Sequence, residues 1–236
     1  MSAESVIWHD LECGAYGADL THWLELARSR PGVVLDVGAG TGRVALVLAR
    51  AGHDVVALER DAELAAELAR RAATLAIEVR CADACDFTLE RRVALAIVPM
   101  QTIHLLADRR AFLRCARAAL APGGLLAVSL LGEGVEPFEL ELDADAVQLG
   151  SVRYESAPTA LRREPSGAVL IERRRSRIAA TGAPSSELDL IRLERCDAAT
   201  LADEARAVGF SPRPARTVAP TAEHAGSEIV CFEAPR

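Results

Sequence analysis

Three acidic residues lie in or just after apolar runs in the first part of the chain: Asp36 in "VVLDVGAGTGR", Glu59 in "DVVALER" and Asp83 in "RCADACDF". Gly38, Gly40 and Gly42 lie between the first two acids. Glycine tolerates left-handed backbone and lets amides approach a ligand closely, while a carboxylate accepts hydrogen bonds from hydroxyl, amino or ammonium groups. Residues of these types at this spacing suit the cradling of a nucleotide. Its kind is open at this level: a nicotinamide dinucleotide, a phosphate-rich nucleotide, or a nucleoside with a cationic head.

The surroundings of the glycines narrow the choice. The dinucleotide fingerprint G-x-G-x-x-G uses its third glycine for close packing of helix on strand. Here the pattern is G-x-G-x-G, and Arg43 stands where that third glycine belongs. Asp36, two residues ahead of Gly38, is poorly suited to receiving a pyrophosphate and well suited to an ammonium and a sulfonium. Glu59 can accept both hydroxyls of a ribose, each such charged bond contributing about 1.5–3 kcal/mol. Asp83 could take an adenine amino proton, with Ala84 beside it. Every basic residue is Arg, so a P-loop lysine, a Schiff-base lysine and a pyridoxal anchor are all excluded.

Composition sets the wider bounds. The chain has 236 residues, 50% of them hydrophobic, enough for one full α/β domain with a small appended element. A formal charge of −7 argues against a nucleic-acid surface. The six cysteines contain no C-x-x-C pair, so neither a zinc site nor a disulfide framework is expected. No run is apolar and long enough to span a bilayer, and the first residues carry no secretory pattern. A soluble, reduced, cytoplasmic protein is the expectation.

The elements that must position these residues alternate. After a loop, Leu20, Trp23, Leu24 and Ala27 share a helical face. There follow a strand at "VVLDVG", a helix at "GRVALVLARAG", a strand at "DVVALE" and a helix with Asp61 as N-cap. Strands are then expected at "AIEVRC" and "VALAIVP", then a helix capped by Asp108 and stopped by Pro-Gly-Gly, and a fifth strand at "LLAVSLL". Such alternation predicts a parallel sheet covered on both faces, with right-handed crossovers. Beyond Leu131, "AVQLGSVRYES", "GAVLIERRRSRIA" and "ELDLIRLER" predict an antiparallel insert, followed by a helix and a closing strand pair. The arginines of "ERRRSR" are expected on a solvated strand face paired with acids such as Glu187 and Asp189.

Taken together these residues resemble the class I S-adenosylmethionine-dependent methyltransferases of the small-molecule type. The likeness runs through "LDVGAGTGR", Glu59, the "ADA" of Ala82 to Ala84 and the segment "VPMQTIHLL", and it covers nearly the whole chain. It implies a doubly wound, mostly parallel Rossmann-like sheet with a reversed last strand, an N-terminal helical lid and a small antiparallel β insert. The implied layout is a single domain: residues 1–30 as lid, 31–131 as cofactor-binding core, 132–196 as insert, and 197–236 as closing helix and strand pair. The implied cofactor is S-adenosylmethionine, with Asp36, Gly38, Ala39 and Gly40 at its methionine part and Glu59 at the ribose. Asp83 and Ala84 would meet the adenine, with Arg60 packed against the ring. Val98 and Pro99 open the segment nearest the transferable methyl, and Tyr16 looks like a lid residue closing over the cofactor.

Methyl transfer from a sulfonium is an in-line displacement with a good leaving group, so positioning outweighs a general base. The post-strand segment lacks the Asp/Asn-Pro-Pro-aromatic motif of nucleic-acid amino-methyltransferases, and no Cys follows Pro99. A small-molecule acceptor is therefore expected, with no nucleic-acid or membrane partner and a homodimer as a further candidate. Gln101, His104 and His224 are the candidates for orienting or deprotonating the acceptor, and no metal is expected. Three other readings stay in view: a NAD-dependent oxidoreductase, a different use of the same pocket such as aminopropyl transfer, and a cofactor-binding module that transfers nothing. In the plainest reading, Asp36 caps a helix or binds loop amides, Glu59 is a surface acid and Asp83 a turn residue.

Overall fold

The computed structural model describes residues 4–132, 136–139, 142–221 and 226–236. In chain order it runs α1 (Glu4–Cys13), α2 (Leu20–Ser29), β1 (Val34–Val37), α3 (Ala45–Arg50), β2 (Val55–Glu59), α4 (Ala62–Arg71), β3 (Ile77–Cys81) and β4 (Val93–Val98). A 3-10 turn (Thr102–Leu105), α5 (Arg109–Ala119) and β5 (Leu120–Leu131) complete the first half. Then come β6 (Phe138–Glu139), β7 (Asp145–Leu149), β8 (Val152–Arg163), β9 (Val169–Ala179), β10 (Ser185–Leu193), α6 (Ala198–Ala207), β11 (Ser211–Val218) and β12 (Ser227–Glu233). The chain divides into two compact units: residues 16–134 with 196–236, and residues 1–15 with 135–195.

The larger unit is a seven-stranded sheet in the order β11-β12-β5-β4-β1-β2-β3. Its strands β1 to β5 pair parallel, and β12 runs antiparallel to both β5 and β11, which is the reversed last strand. Every residue of β1 and β2 is buried, as expected of strands covered on both faces. Side chains alternate between the faces. Leu35, Val37 and Leu58 join Phe112 and Leu113 of α5 and Leu201 of α6 in one cluster. Val34, Val55 and Ala57 join Trp23 of α2, Leu48 of α3 and Leu68 of α4 in the other. Asp36 alternates with Leu35 and Val37 and therefore points into the second face, toward the helices that follow the glycines.

Capping follows the sequence signals. Asp61 accepts from Glu63 N and Leu64 N, and Asp108 accepts from Ala111 N, each satisfying helix-start amides that have no intrahelical partner. Two boundaries differ from expectation. Helix α3 starts only at Ala45, because Gly42 N first closes a turn on Ala39 O at 2.9 Å. Strand β5 begins at Leu120, and "APGG" becomes an irregularity inside it: Val93 pairs with Leu120, and pairing resumes at Leu95 with Leu125.

The smaller unit is a five-stranded antiparallel sheet, β10-β9-β8-β6 with β7 also on β8, and α1 packs on it. That helix falls where the sequence suggests the start of a loop. Its reason is tertiary: Trp8 meets the Tyr154 ring edge-on at 5.3 Å, and Ile7 completes the small cluster. Glu12 accepts from Arg175 Nε and Nη2, both at 2.7 Å, and from Ser156 Oγ at 2.8 Å. Burial pushes the Glu12 carboxyl up, but Arg175 and Arg173 outweigh it and hold it below its usual range. The period of β9 turns Arg173 and Arg175 toward α1, with side chains 13% and 19% exposed, so these two form a largely covered ion-pair face with Glu12 and Asp189 where a solvated face was expected, while Arg177 stays exposed. Among the described residues no helix is long and apolar enough to cross a membrane.

Candidate functional site

The glycines leave β1 at its carboxyl end, the edge at which open α/β sheets bind ligands. Gly38, Gly40 and Gly42 have φ of +70°, +55° and +102°. A Cβ on Gly42 would collide with Leu68 of α4, and one on Gly38 would lie 2.5 Å from Thr102 Cγ2. The loop is held mostly by its own amides. Gly38 N and Ala39 N both donate to Leu58 O, at 2.8 and 3.0 Å, and Gly42 N donates to Ala39 O.

Asp36 lies beneath this loop, 1% exposed, and neither carboxylate oxygen has a hydrogen-bond partner among the described residues. Burial pushes its pKa up to about 7; Arg43 and the nearby Ala45 backbone pull the other way, while Asp19 and Glu59 add to the rise. A buried unpaired carboxylate is costly unless a partner arrives. Of the plainer alternatives for Asp36, helix capping keeps some support in the Ala45 backbone at the start of α3, whose pull lowers the carboxyl although neither oxygen makes a hydrogen bond of ordinary geometry.

Glu59, 8% exposed, ends β2. Its Oε2 accepts from Gly40 N at 2.8 Å and its Oε1 from Asp61 N at 2.9 Å. It therefore braces the glycine loop and the start of α4 together, with further lone pairs on each oxygen still available. Asp83 is exposed after β3, and its Oδ1 accepts from Cys85 N at 2.7 Å in a turn of its own making. Ala84 is half-buried behind it, and Arg60 is exposed beside Glu59. Asp36, Gly38, Gly40, Glu59 and Asp83 thus all come from the carboxyl ends of β1, β2 and β3, which lie side by side.

One network escapes sequence reasoning. Arg43 Nη1 and Nη2 donate to Asp19 Oδ1 and Oδ2 at 2.6 and 2.8 Å, and Trp23 Nε1 donates to Asp19 Oδ2 at 2.8 Å. Arg43 also donates to Tyr16 O at 2.8 Å, and its guanidinium lies 5.1 Å from the Tyr16 ring centroid. The residue in place of the third glycine therefore ties the segment Tyr16–Asp19 to the glycine loop through a buried bidentate pair. Tyr16 is itself buried, and that burial, with Asp19, raises its phenol above the usual range against Ser227 and Arg43. The sequence signal was available only as an acid seven residues before Leu26 of α2 and an arginine breaking the fingerprint.

Beyond β4, Val98 and Pro99 are buried, and Met100 turns the chain with φ of +53°, unusual for a side chain of its kind. Gln101 is half-buried and its carbonyl accepts from His104 N at 2.9 Å. His104 is 4% exposed, and its Nε2 accepts from Leu131 N at 3.1 Å, joining the turn to the end of β5. Burial, with Arg109, lowers its pKa to about 4, so it is neutral with Nε2 already engaged. His224 lies outside the described residues. Among those described, no group of three or more His, Cys, Asp or Glu could hold a metal ion.

Two buried groups here titrate with opposite consequences. The His104 pKa is lower folded than unfolded, so its contribution is complete above about pH 6.5 and is lost as pH falls toward 4. Asp36 is raised, so its ionised form weighs against the fold, and stability grows as pH falls from about 7 toward 3.8. Each should change unfolding free energy by about 2 kcal/mol between pH 7 and 5, in opposite directions. Urea unfolding at those two pH values should therefore show Asp36→Asn weakening on acidification and His104→Gln strengthening. Slopes indistinguishable from the wild type in both variants would refute the assignment.

Residues 34–124 match the family described as a methyltransferase domain. A ubiquinone biosynthesis O-methyltransferase from Nitrobacter winogradskyi is 34% identical over 114 residues, 47% of this chain and 43% of that protein. One from Methylocella silvestris is 29% identical over 120 residues, 50% of this chain and 46% of that one. The chain thus spans less than half the length of these curated relatives. Among solved structures, the sugar N-methyltransferase KedS8 of a Streptoalloteichus species aligns with a TM-score of 0.77 at 17% identity, covering 99% of this chain and 93% of that one. DesVI of Streptomyces venezuelae aligns at 0.74 and 18%, covering 98% and 96%. The chain has the class I S-adenosylmethionine-dependent methyltransferase fold.

Proposed function

We propose that the chain binds S-adenosylmethionine at the carboxyl edge of β1, β2 and β3 and methylates a small-molecule acceptor. The observation that carries this reading is Asp36, a buried carboxylate with neither oxygen hydrogen-bonded among the described residues, under a loop with no room for a side chain at positions 38 and 42. A cationic amino-acid head would satisfy it. Glu59 would offer its remaining lone pairs to the ribose hydroxyls, and Asp83 its Oδ2 to the adenine amino group, consistent with its Oδ1 being taken by Cys85 N.

When bound, the cofactor supplies an activated methyl on a sulfonium. The work left to the chain is positional: holding an acceptor in line can lower a barrier by about 7–11 kcal/mol. His104, neutral and bonded to Leu131 N, shapes the turn after β4 rather than standing ready as a base. An acceptor that takes the methyl on oxygen or on a sugar nitrogen is supported by the names of the relatives, two O-methyltransferases and a sugar N-methyltransferase among them.

The test is calorimetric titration with S-adenosylmethionine, S-adenosylhomocysteine and NAD, followed by measuring S-adenosylhomocysteine release with phenols and amino sugars. Micromolar binding of both sulfur nucleosides and release with one acceptor class are expected. NAD binding alone, or no binding, would end this reading. Binding without turnover on any acceptor would reduce it to a cofactor-binding module.

A further inference from the structure

The amides of the glycine loop are nearly all spent inside the protein. Gly38 N and Ala39 N go to Leu58 O, Gly40 N to Glu59 Oε2 and Gly42 N to Ala39 O. A ligand resting on this loop must therefore find its polar partners among side chains rather than among the backbone donors that usually line such a turn.

At Gly38, the side chain brought against the loop is that of Thr102. A Cβ built on Gly38 would lie 2.7 Å from Thr102 Oγ1 and 3.2 Å from its Cβ, so the threonine occupies the space that any side chain at position 38 would take. Its hydroxyl makes no hydrogen bond to any described residue. It is nonetheless held firmly. The chain reverses at Met100 with φ of +53°, and the turn Thr102–Leu105 is closed by His104 N on Gln101 O and anchored by His104 Nε2 to Leu131 N. Backbone in a sparsely populated region persists where its surroundings impose it, and such positions gather at ligand sites. Here its effect is to return Thr102 to the end of β1.

We propose that Thr102 is a binding residue for the amino-acid end of the cofactor, its hydroxyl bonding the carboxylate or ammonium group that rests over Gly38. This rests on the proposed function. A hydroxyl both donates and accepts, so it serves either group, and it replaces the backbone amides that this loop has turned inward.

The test compares two ligands that share an adenosine and differ at that end: S-adenosylhomocysteine, and 5′-methylthioadenosine, which lacks the amino-acid group. Thr102→Val keeps the shape and removes the hydroxyl, and Thr102→Ser keeps the hydroxyl. By calorimetry, Thr102→Val should weaken S-adenosylhomocysteine on the order of tenfold, as for a lost bond to a charged group. Methylthioadenosine should bind it as it binds the wild type, and Thr102→Ser should bind both normally. Unchanged S-adenosylhomocysteine affinity in Thr102→Val would overturn the proposal. So would an equal loss for both ligands, which would indicate packing. A wild type that binds neither nucleoside would instead refute the methyltransferase reading itself.

Discussion

Replacing Glu59 with alanine is expected to lower S-adenosylmethionine affinity on the order of a hundredfold or more, the largest effect of any single change at this site. Two losses combine. The ribose would lose its charged acceptor, a contribution of about 1.5–3 kcal/mol for each bond. Gly40 N and Asp61 N would also lose the oxygens that now accept from them at 2.8 and 2.9 Å, so the loop and the start of α4 would no longer be braced against each other. Glu59→Gln separates the two. Its amide carbonyl can serve one backbone donor, but its NH2 group faces the other, donor against donor. Its affinity should therefore fall between wild type and alanine, with part of the loss appearing as a lower melting temperature. Calorimetry on the three proteins decides, and an alanine variant that binds like the wild type would remove Glu59 from the site.

The second large effect concerns stability. Arg43→Ala should destabilise the fold by about 3–5 kcal/mol, because it leaves a buried carboxylate without its cation. Asp19 is fully buried, and its remaining side-chain bond would come from Trp23 Nε1. Asp19→Ala should be comparably damaging, since the Arg43 side chain is only 8% exposed. The double variant Asp19→Leu/Arg43→Met should cost much less than the sum of the single ones, as apolar pairs of similar volume often replace buried ion pairs well. Urea midpoints of the three variants measure this coupling, and strictly additive losses would show that the pair does not act as a unit. Removing Arg43 also takes away the opposite charge that restrains Asp36, so the Asp36 carboxyl should rise further.

The two effects differ in how visible their causes are in the chain. Asp36, Gly38, Gly40 and Glu59 could be found from local pattern, because a short buried strand followed by glycines and then a helix dictates its own geometry within a few residues. Asp83 was legible for the same reason, as an acid just past a third strand. Asp19 and Arg43 are 24 positions apart, and nothing in their spacing says that they meet. Thr102 is separated from Gly38 by two complete strand–helix units, and only the adjacency of β1 and β4 brings them together. The same limit applies to α1. Its residues read as the start of a loop, and the Tyr154 and Arg175 that give the helix a seat lie far along the chain.

The sequence by itself determined the alternation of strands and helices, the parallel sheet, the glycine loop and the acids at the strand ends. Each of these depends on periodicity, capping or turn chemistry acting within about a dozen residues. The tertiary structure alone decided that most of the loop amides face inward, that Asp36 is buried with neither oxygen hydrogen-bonded among the described residues, and that His104 is neutral and spoken for. It alone decided that Arg43 is a buried tie rather than a missing glycine. Burial and hydrogen-bond satisfaction are properties of what surrounds a group, and those surroundings come from distant parts of the chain.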